Sequence, residues 1–273
     1  MPDAPLPSGQ EQPGGINSSV AHSARIWNYW LGGKDNYMID REIGDQFSAI
    51  FPEIADIARS SRGFLARAVR YLAGEAGIRQ FLDIGTGLPS VDNTHEVAQR
   101  VAPDARVVYV DNDPLVLAHA RALLVGTPEG NTEYIDSDLR DPDRILKDAS
   151  RTLDLSRPVG LVLMNILGHV TDLAQARAVV GHLMGALPRG SYLAVADGTN
   201  VVKGPEFEAA IAVWNREGST PYTLRSPDEI ALFFDGLALV EPGVVSCPRW
   251  RPDPVLPGAE HEVDEFCGVA RKP

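Results

Sequence analysis

The residues with the clearest chemical purpose are Asp83-Ile84-Gly85-Thr86-Gly87. They close a short apolar run, Phe81 to Ile84, and precede a segment, Val91 to Val101, whose apolar residues recur at helical spacing. In an open α/β sheet a nucleotide-like ligand lies at such a strand-to-helix turn. Glycines there let the backbone approach the ligand and aim N–H groups at it. Gly85, Thr86 and Gly87 are therefore candidate contacts, with the Asp83 carboxylate beside them. Turns use glycine in any case, so the position carries more weight than the glycine pair itself.

Three further clusters end apolar runs in the same way. Asp111 follows Val108-Tyr109-Val110, 24 residues beyond Gly87, near the spacing of about 20 at which an acidic residue accepts from ribose hydroxyls. Asn112 adjoins it. Asp113 precedes Pro114 and better suits a helix cap. Asp138 and Leu139 follow the third run, where a carboxylate accepts from an adenine amino group and backbone groups meet the ring; Asp141, before Pro142, again suits a cap. Asn165 follows the run Val159 to Met164 and is placed to contact the ligand, while His169 is a candidate general base because imidazole titrates near neutrality.

These residues distinguish two cofactors. A dinucleotide site expects Gly-x-Gly-x-x-Gly around a pyrophosphate. Here Ser90 stands at the last position, and Pro89 before it has no N–H to donate. Asp83 would repel a phosphate, yet the same carboxylate suits the amino group of a methionine moiety. S-adenosylmethionine therefore explains the residues better than a nicotinamide dinucleotide does.

Elements that would carry these groups are visible in the same stretch. Strands are expected at Phe81–Ile84, Arg106–Val110, Glu133–Ile135, Val159–Asn165 and Ser191–Ala196, alternating with helices at Val91–Val101, Pro114–Leu124, Asp143–Ala149 and Leu173–Leu187. Such alternation predicts parallel βαβ units with right-handed crossovers. Helices are expected near Phe207–Glu217 and, with a capping box, from Ser226. Leu237–Val245 and Glu265–Ala270 would form a closing antiparallel hairpin, joined by a Pro-rich loop, 248–257. N-terminal to the sheet, helices are expected at 20–30, at 40–51 and from Ser60 or Ser61 to Leu72. Residues 1–19 are expected to be a flexible tail, and 20–273 one domain with 20–60 as a helical cap.

Composition sets the outer bounds. The chain has 273 residues, 44% hydrophobic and 23% charged, with a formal net charge of −12. That is a globular composition, and an acidic field disfavours nucleic acid or an anionic membrane as the partner. Two cysteines and six scattered histidines give neither a disulfide framework nor metal-ligand spacing, so no metal is expected. With no signal peptide and no apolar run of about 18 residues, a cytoplasmic location is expected.

The segment Ala24-Arg25-Ile26-Trp27-Asn28-Tyr29-Trp30-Leu31-Gly32-Gly33-Lys34-Asp35-Asn36-Tyr37, followed by Asp40-Arg41-Glu42, resembles the opening of an S-adenosyl methyltransferase family abundant in actinomycetes. Val108–Ala120 and Val240–Pro252 are similar to it as well. The resemblance implies a Rossmann-like class I methyltransferase fold, a seven-stranded mostly parallel sheet with an antiparallel C-terminal hairpin and an N-terminal helical cap. It implies S-adenosylmethionine as cofactor and S-adenosylhomocysteine as product. Pro89 departs from the general pattern, in which a third glycine often stands. In the opening segment, Trp27, Trp30 and Tyr37 serve either as core anchors or as an aromatic lid that favours the sulfonium and excludes water. Tyr29, Gly33 and Lys34 are expected cofactor contacts. The absence of an Asn/Asp-Pro-Pro-aromatic sequence after the fourth strand favours a small-molecule acceptor. A non-catalytic ligand-binding module and a nicotinamide-dependent oxidoreductase are the alternatives.

Overall fold

Short apolar runs rich in valine, leucine, isoleucine and alanine form the centre of the sheet, since such residues pack well on both of its faces. The computed structural model describes residues 17–123, 126–217, 220–253 and 261–273. The parallel strands are β1 (Gln80–Ile84), β2 (Arg106–Asp111), β3 (Asn131–Asp136), β4 (Gly160–Met164) and β5 (Tyr192–Gly198). Three antiparallel strands complete it: β6 (Ala238–Leu239), β7 (Val245–Ser246) and β8 (Glu265–Arg271). The order is β3-β2-β1-β4-β5-β8-β6, with β7 also paired to β8.

The connection from β3 to β4 carries the chain from one half of the sheet to the other, and the strand order reverses between the neighbours β1 and β4. At such a switch point the loops leave in opposite directions and open a crevice beyond the carboxyl ends of the strands. Gly85-Thr86-Gly87 follows β1 and Asn165 follows β4, so topology alone brings both to one crevice.

Helices α4 (Thr94–Val101), α5 (Pro114–Leu123), α6 (Pro142–Ala149), α7 (Leu173–Ala186) and α9 (Pro227–Ala231) lie among the strands in sequence. Leu82, Ile84, Leu161 and Leu163 pack one buried cluster with α6 and α7, while Phe81, Val107 and Val162 pack the other with α3 (Ile54–Gly74) and α4. Trp250 is fully buried in the second cluster, edge-on to Phe64 at 5.3 Å. Arg67 on α3 donates to the carbonyls of Trp250 (2.9 Å) and Cys247 (2.7 Å). This gives the Pro248–Pro252 stretch a structural reason: it docks the C-terminal chain on α3.

Three expectations are corrected. The helix expected from Ser60 or Ser61 begins six residues before Ser60, at Ile54, and both serines lie inside it. Its buried positions Ile54, Ile57, Ala58, Ser61 and Leu65 already carry the helical period upstream. The helix expected from Val91 begins at Thr94, where Asn93 and Glu96 form a capping box, and Val91 is exposed. The strand expected over Leu237–Val245 is two dipeptide strands, because Pro242 lacks a donor and Gly243 turns the chain at φ 88°. Of the expected tail, only 17–19 lie within the described residues, and Asn17 accepts from Arg25 at 3.1 Å. Of the Pro-rich loop, 254–257 lie outside them.

The N-terminal pair of helices, α1 (Ser23–Trp30) and α2 (Met38–Ile50), packs against α8 (Gly204–Glu217) through Trp30, Phe47, Phe207 and Trp214. A fully buried Asp40 ties its two helices, accepting from the N–H of His22 (3.0 Å) and of Tyr37 (2.8 Å) with Arg25 Nε at 3.3 Å.

Candidate active site

The crevice beyond β1, β2 and β4 opens into a cleft. It spans about 1250 Å³ of space, open solvent at its mouth included. Gly85, Thr86, Gly87, Asp111, Asn112, Asp138, Leu139, Asn165 and His169 all line it, so the structure brings these candidates together.

Gly85 and Gly87 sit at φ 76° and 64°, a region that side chains disfavour. At Gly85 a Cβ would also lie 2.7 Å from Ile166. The loop is held by Asp111, whose Oδ2 accepts from the Gly87 N–H at 2.9 Å and whose Oδ1 accepts from the Asp113 N–H at 2.9 Å. Burial pushes the Asp111 carboxyl up despite these donors. Asp113 caps α5 by accepting from Leu115 at 2.9 Å, and Asp141 caps α6 by accepting from Arg144 at 3.2 Å, so both cap expectations hold.

Asp138 accepts from the Arg140 N–H at 2.8 Å, with the guanidinium 3.1 Å from its other oxygen. Asn165 adopts φ 54°. Its amide donates to Ser61 Oγ and Glu265 Oε1, each at 2.8 Å. His169 is half-buried in a short 3-10 turn, its Nδ1 2.9 Å from the Pro221 carbonyl. Desolvation lowers its pKa.

Four expected contacts stand elsewhere. Asp83 is buried behind the loop, accepts from Thr94 Oγ1 at 2.5 Å and is not part of the lining; burial raises its carboxyl to about 6. Tyr29 donates its hydroxyl to Asp45 at 2.6 Å, away from the cleft. Gly33 packs on Asn28, where a Cβ would come within 2.3 Å of the side-chain amide. Lys34 is exposed and does not line the cleft. The polar turn of the opening segment is thus explained by Asn28, which accepts from the Asp35 N–H (3.1 Å) and Asn36 Nδ2 (3.0 Å). Of the aromatic residues there, Trp27 lines the cleft, whereas Trp30 and Tyr37 do not.

Sequence reasoning missed Arg62, which lines the cleft beside the glycine loop. Its Nη2 donates to the carbonyls of Val91 (3.0 Å) and Asp92 (3.1 Å), and its buried Nε has no hydrogen-bond partner. A half-buried cation with an orphaned donor fits an anionic ligand group. Serine and arginine on α3 gave no motif, so the signal was absent from the sequence. His22, Asn28 and Ser61 also line the cleft.

The set therefore offers two carboxylates at adjacent strand ends, a glycine loop and a cation, which suits an adenosyl group joined to an amino acid. The profile of the S-adenosyl methyltransferase family matches residues 9–273. The chain belongs to that family. This methyltransferase is 45% identical to a DUF574 family protein of Streptomyces avermitilis, with TM-score 0.90 over 94% of this chain and 99% of that one. It is 39% identical to a candidate methyltransferase of Thermobifida fusca, with TM-score 0.85 over 97% and 99%. Human N-acetylserotonin methyltransferase shares the fold at 12% identity and TM-score 0.50, over 92% of this chain and 63% of that one. No curated protein matches the chain. The methyltransferase is thus S-adenosylmethionine-dependent and of the class I fold, its mostly parallel sheet ending in antiparallel strands. Among the described residues, no helix is long and apolar enough to cross a membrane.

Proposed function

We propose that the cleft binds S-adenosylmethionine and that the enzyme methylates a small-molecule acceptor, releasing S-adenosylhomocysteine. The observation that carries the assignment is Asp111, held under the glycine loop by the Gly87 N–H at 2.9 Å while lining the cleft. In this reading Asp111 accepts from the ribose, Asp138 and Leu139 meet the adenine, and Gly85 and Gly87 lie along the amino-acid arm. Arg62 pairs with the methionyl carboxylate. Asp83 acts on the ammonium through water, since Thr94 already occupies one of its oxygens.

The bound cofactor supplies a methyl group activated as a sulfonium, so the protein positions and desolvates the reactants. Trp27 covers the cleft and excludes water, and its ring face favours a nearby positive charge. His169, held neutral by burial, takes a proton from an acceptor that arrives protonated. No metal is given a role. Residues 20–273 act as one domain with 20–60 as its cap, and a cytoplasmic location fits the two thiols of Cys247 and Cys267, both free and buried.

Calorimetric titration with S-adenosylhomocysteine and, separately, with a nicotinamide dinucleotide tests the site. Micromolar binding of the first alone is expected. Preference for the second would overturn the assignment of these residues.

A further inference from the structure

We propose that a second chamber, adjoining the cleft at His169 and Asn165, receives the methyl acceptor, and that this acceptor is a neutral single-ring phenol. The proposal rests on the neighbouring cleft being the S-adenosylmethionine site. The two cavities share Ser23, Trp27, Asn165 and His169, so a molecule in the chamber abuts whatever fills the cleft.

The chamber lies between α1, α2, the start of α3 and α8. Trp30, Phe47, Phe207, Trp214 and Tyr222 form most of its wall. Their polar edges are already committed to the protein. Trp30 Nε1 donates to the Gly44 carbonyl at 3.2 Å and Trp214 Nε1 to the Thr220 carbonyl at 2.8 Å. The Tyr222 hydroxyl donates to the buried Asp197. What these residues offer a ligand is therefore ring carbon, which favours an aromatic guest by offset or edge-on packing. Among the described residues, no aspartate, glutamate, lysine or arginine lines the chamber. A charged acceptor would shed its water there with no counter-ion to meet it.

The size and the one available base narrow the class further. The cavity volume is about 60 Å³, below the roughly 150 Å³ of a closed cavity that holds benzene, so the chamber takes no more than one ring, and that ring must sit where the chamber opens onto the cleft. His169 Nδ1 faces the carbonyl of Pro221, an atom that only accepts, so Nδ1 carries the proton and Nε2 holds a lone pair. A phenol, with a pKa near 10, enters uncharged and is within reach of an imidazole base. An aliphatic alcohol is far less acidic, and a neutral amine needs no base to attack. In the transfer the phenolic oxygen bonds the methyl carbon as the carbon–sulfur bond breaks and its electron pair returns to sulfur. The phenolic proton goes to His169 Nε2, and the products are the methyl ether and S-adenosylhomocysteine.

The test follows tryptophan fluorescence of the full-length protein saturated with S-adenosylhomocysteine during titration with p-cresol, p-toluate and benzylammonium. Trp27, Trp30 and Trp214 report on the chamber directly. Saturable quenching by p-cresol is expected, with the two ions roughly tenfold weaker or worse. Ile211→Phe, filling the chamber from α8, is expected to weaken p-cresol roughly tenfold while the affinity for S-adenosylhomocysteine stays within about twofold. Ile211→Ala enlarges the chamber and is expected to favour 4-propylphenol over p-cresol, which keeps the test open should the phenylalanine variant not fold. Equal binding of the three small ligands, or p-cresol binding that neither variant changes, overturns the proposal. Failure of S-adenosylhomocysteine itself to bind would instead overturn the reading of the cleft.

Discussion

The side-chain amide of Asn165 donates to Glu265 Oε1 at 2.8 Å, joining the loop after β4 to the first residue of β8. Glu265 is fully buried, and its Oε2 has no hydrogen-bond partner. Burial raises its carboxyl to about 8, so the folded protein keeps this proton at neutral pH. The unfolded chain loses it near 4.5. A carboxyl with a raised folded pKa binds more protons in the native state, so stability falls as pH rises through that window. Glu265→Gln preserves the acceptor for Asn165 and removes the titration. Relative to the wild type, the variant should gain up to roughly 1.4 kcal/mol per pH unit between about pH 4.5 and 8, measured by urea unfolding at stepped pH. Parallel curves for the two proteins would show that Glu265 does not hold the proton.

The two glycines of the loop should differ sharply. Gly85→Ala introduces a Cβ 2.7 Å from Ile166, on top of an unfavourable φ of 76°. Gly87→Ala meets nothing within 4 Å and carries only the cost of φ 64°, about 1–2 kcal/mol. Gly85→Ala should therefore lose S-adenosylhomocysteine binding in calorimetry and lower Tm further than Gly87→Ala does. Equal losses in both variants would count against the contact with Ile166.

Asp111→Ala removes the acceptor of the Gly87 N–H together with the expected ribose contact. Losing a charged hydrogen bond costs roughly 1.5–3 kcal/mol, or about ten- to a hundredfold in affinity. Calorimetry with S-adenosylhomocysteine reads this directly. Unchanged affinity would place the ribose elsewhere.

The fold was legible where local chemistry decides it. Asp113 and Asp141 cap helices because proline follows each, and Ser226 begins α9 with the capping box its sequence spells out. The cleft residues at the ends of β1, β2 and β4 were legible for the same reason, since strand ends can be read from apolar runs. What escaped was set by partners distant in sequence. Gly33 looked like a ligand contact because its constraint comes from Asn28, a buried polar side chain folded back over the turn. Tyr29 carried no sign that Asp45, 16 residues on, takes its hydroxyl. Reading one strand over 237–245 gave hydrophobicity precedence over Pro242 and Gly243, and backbone chemistry won.

Arg62 provides a test that separates the two ends of the cofactor. If it pairs with the methionyl carboxylate, Arg62→Ala should weaken S-adenosylhomocysteine by about tenfold or more. Methylthioadenosine, which lacks the amino acid, should bind both proteins nearly alike. The carbonyls of Val91 and Asp92 also lose a donor, so a purely structural role would weaken both ligands together.

His169 bears on the chemistry itself. Desolvation lowers its pKa below the ordinary 6.5, so the neutral, proton-accepting form persists to lower pH than in a solvated histidine. Activity that depends on this base is present above the lowered pKa and lost as pH falls through it. The acid limb of kcat against an acceptor hydroxyl should therefore lie below pH 6.5. His169→Ala should reduce kcat by roughly 10²–10⁴ with the affinity for S-adenosylhomocysteine little changed. The same shift predicts a stability effect of matching sign. The unfolded chain takes up the proton first on acidification, so the wild type should lose stability below about pH 6.5, and the alanine variant should lose less over that interval. An acid limb above 6.5, or one that persists in His169→Ala, would assign the proton transfer to a different group.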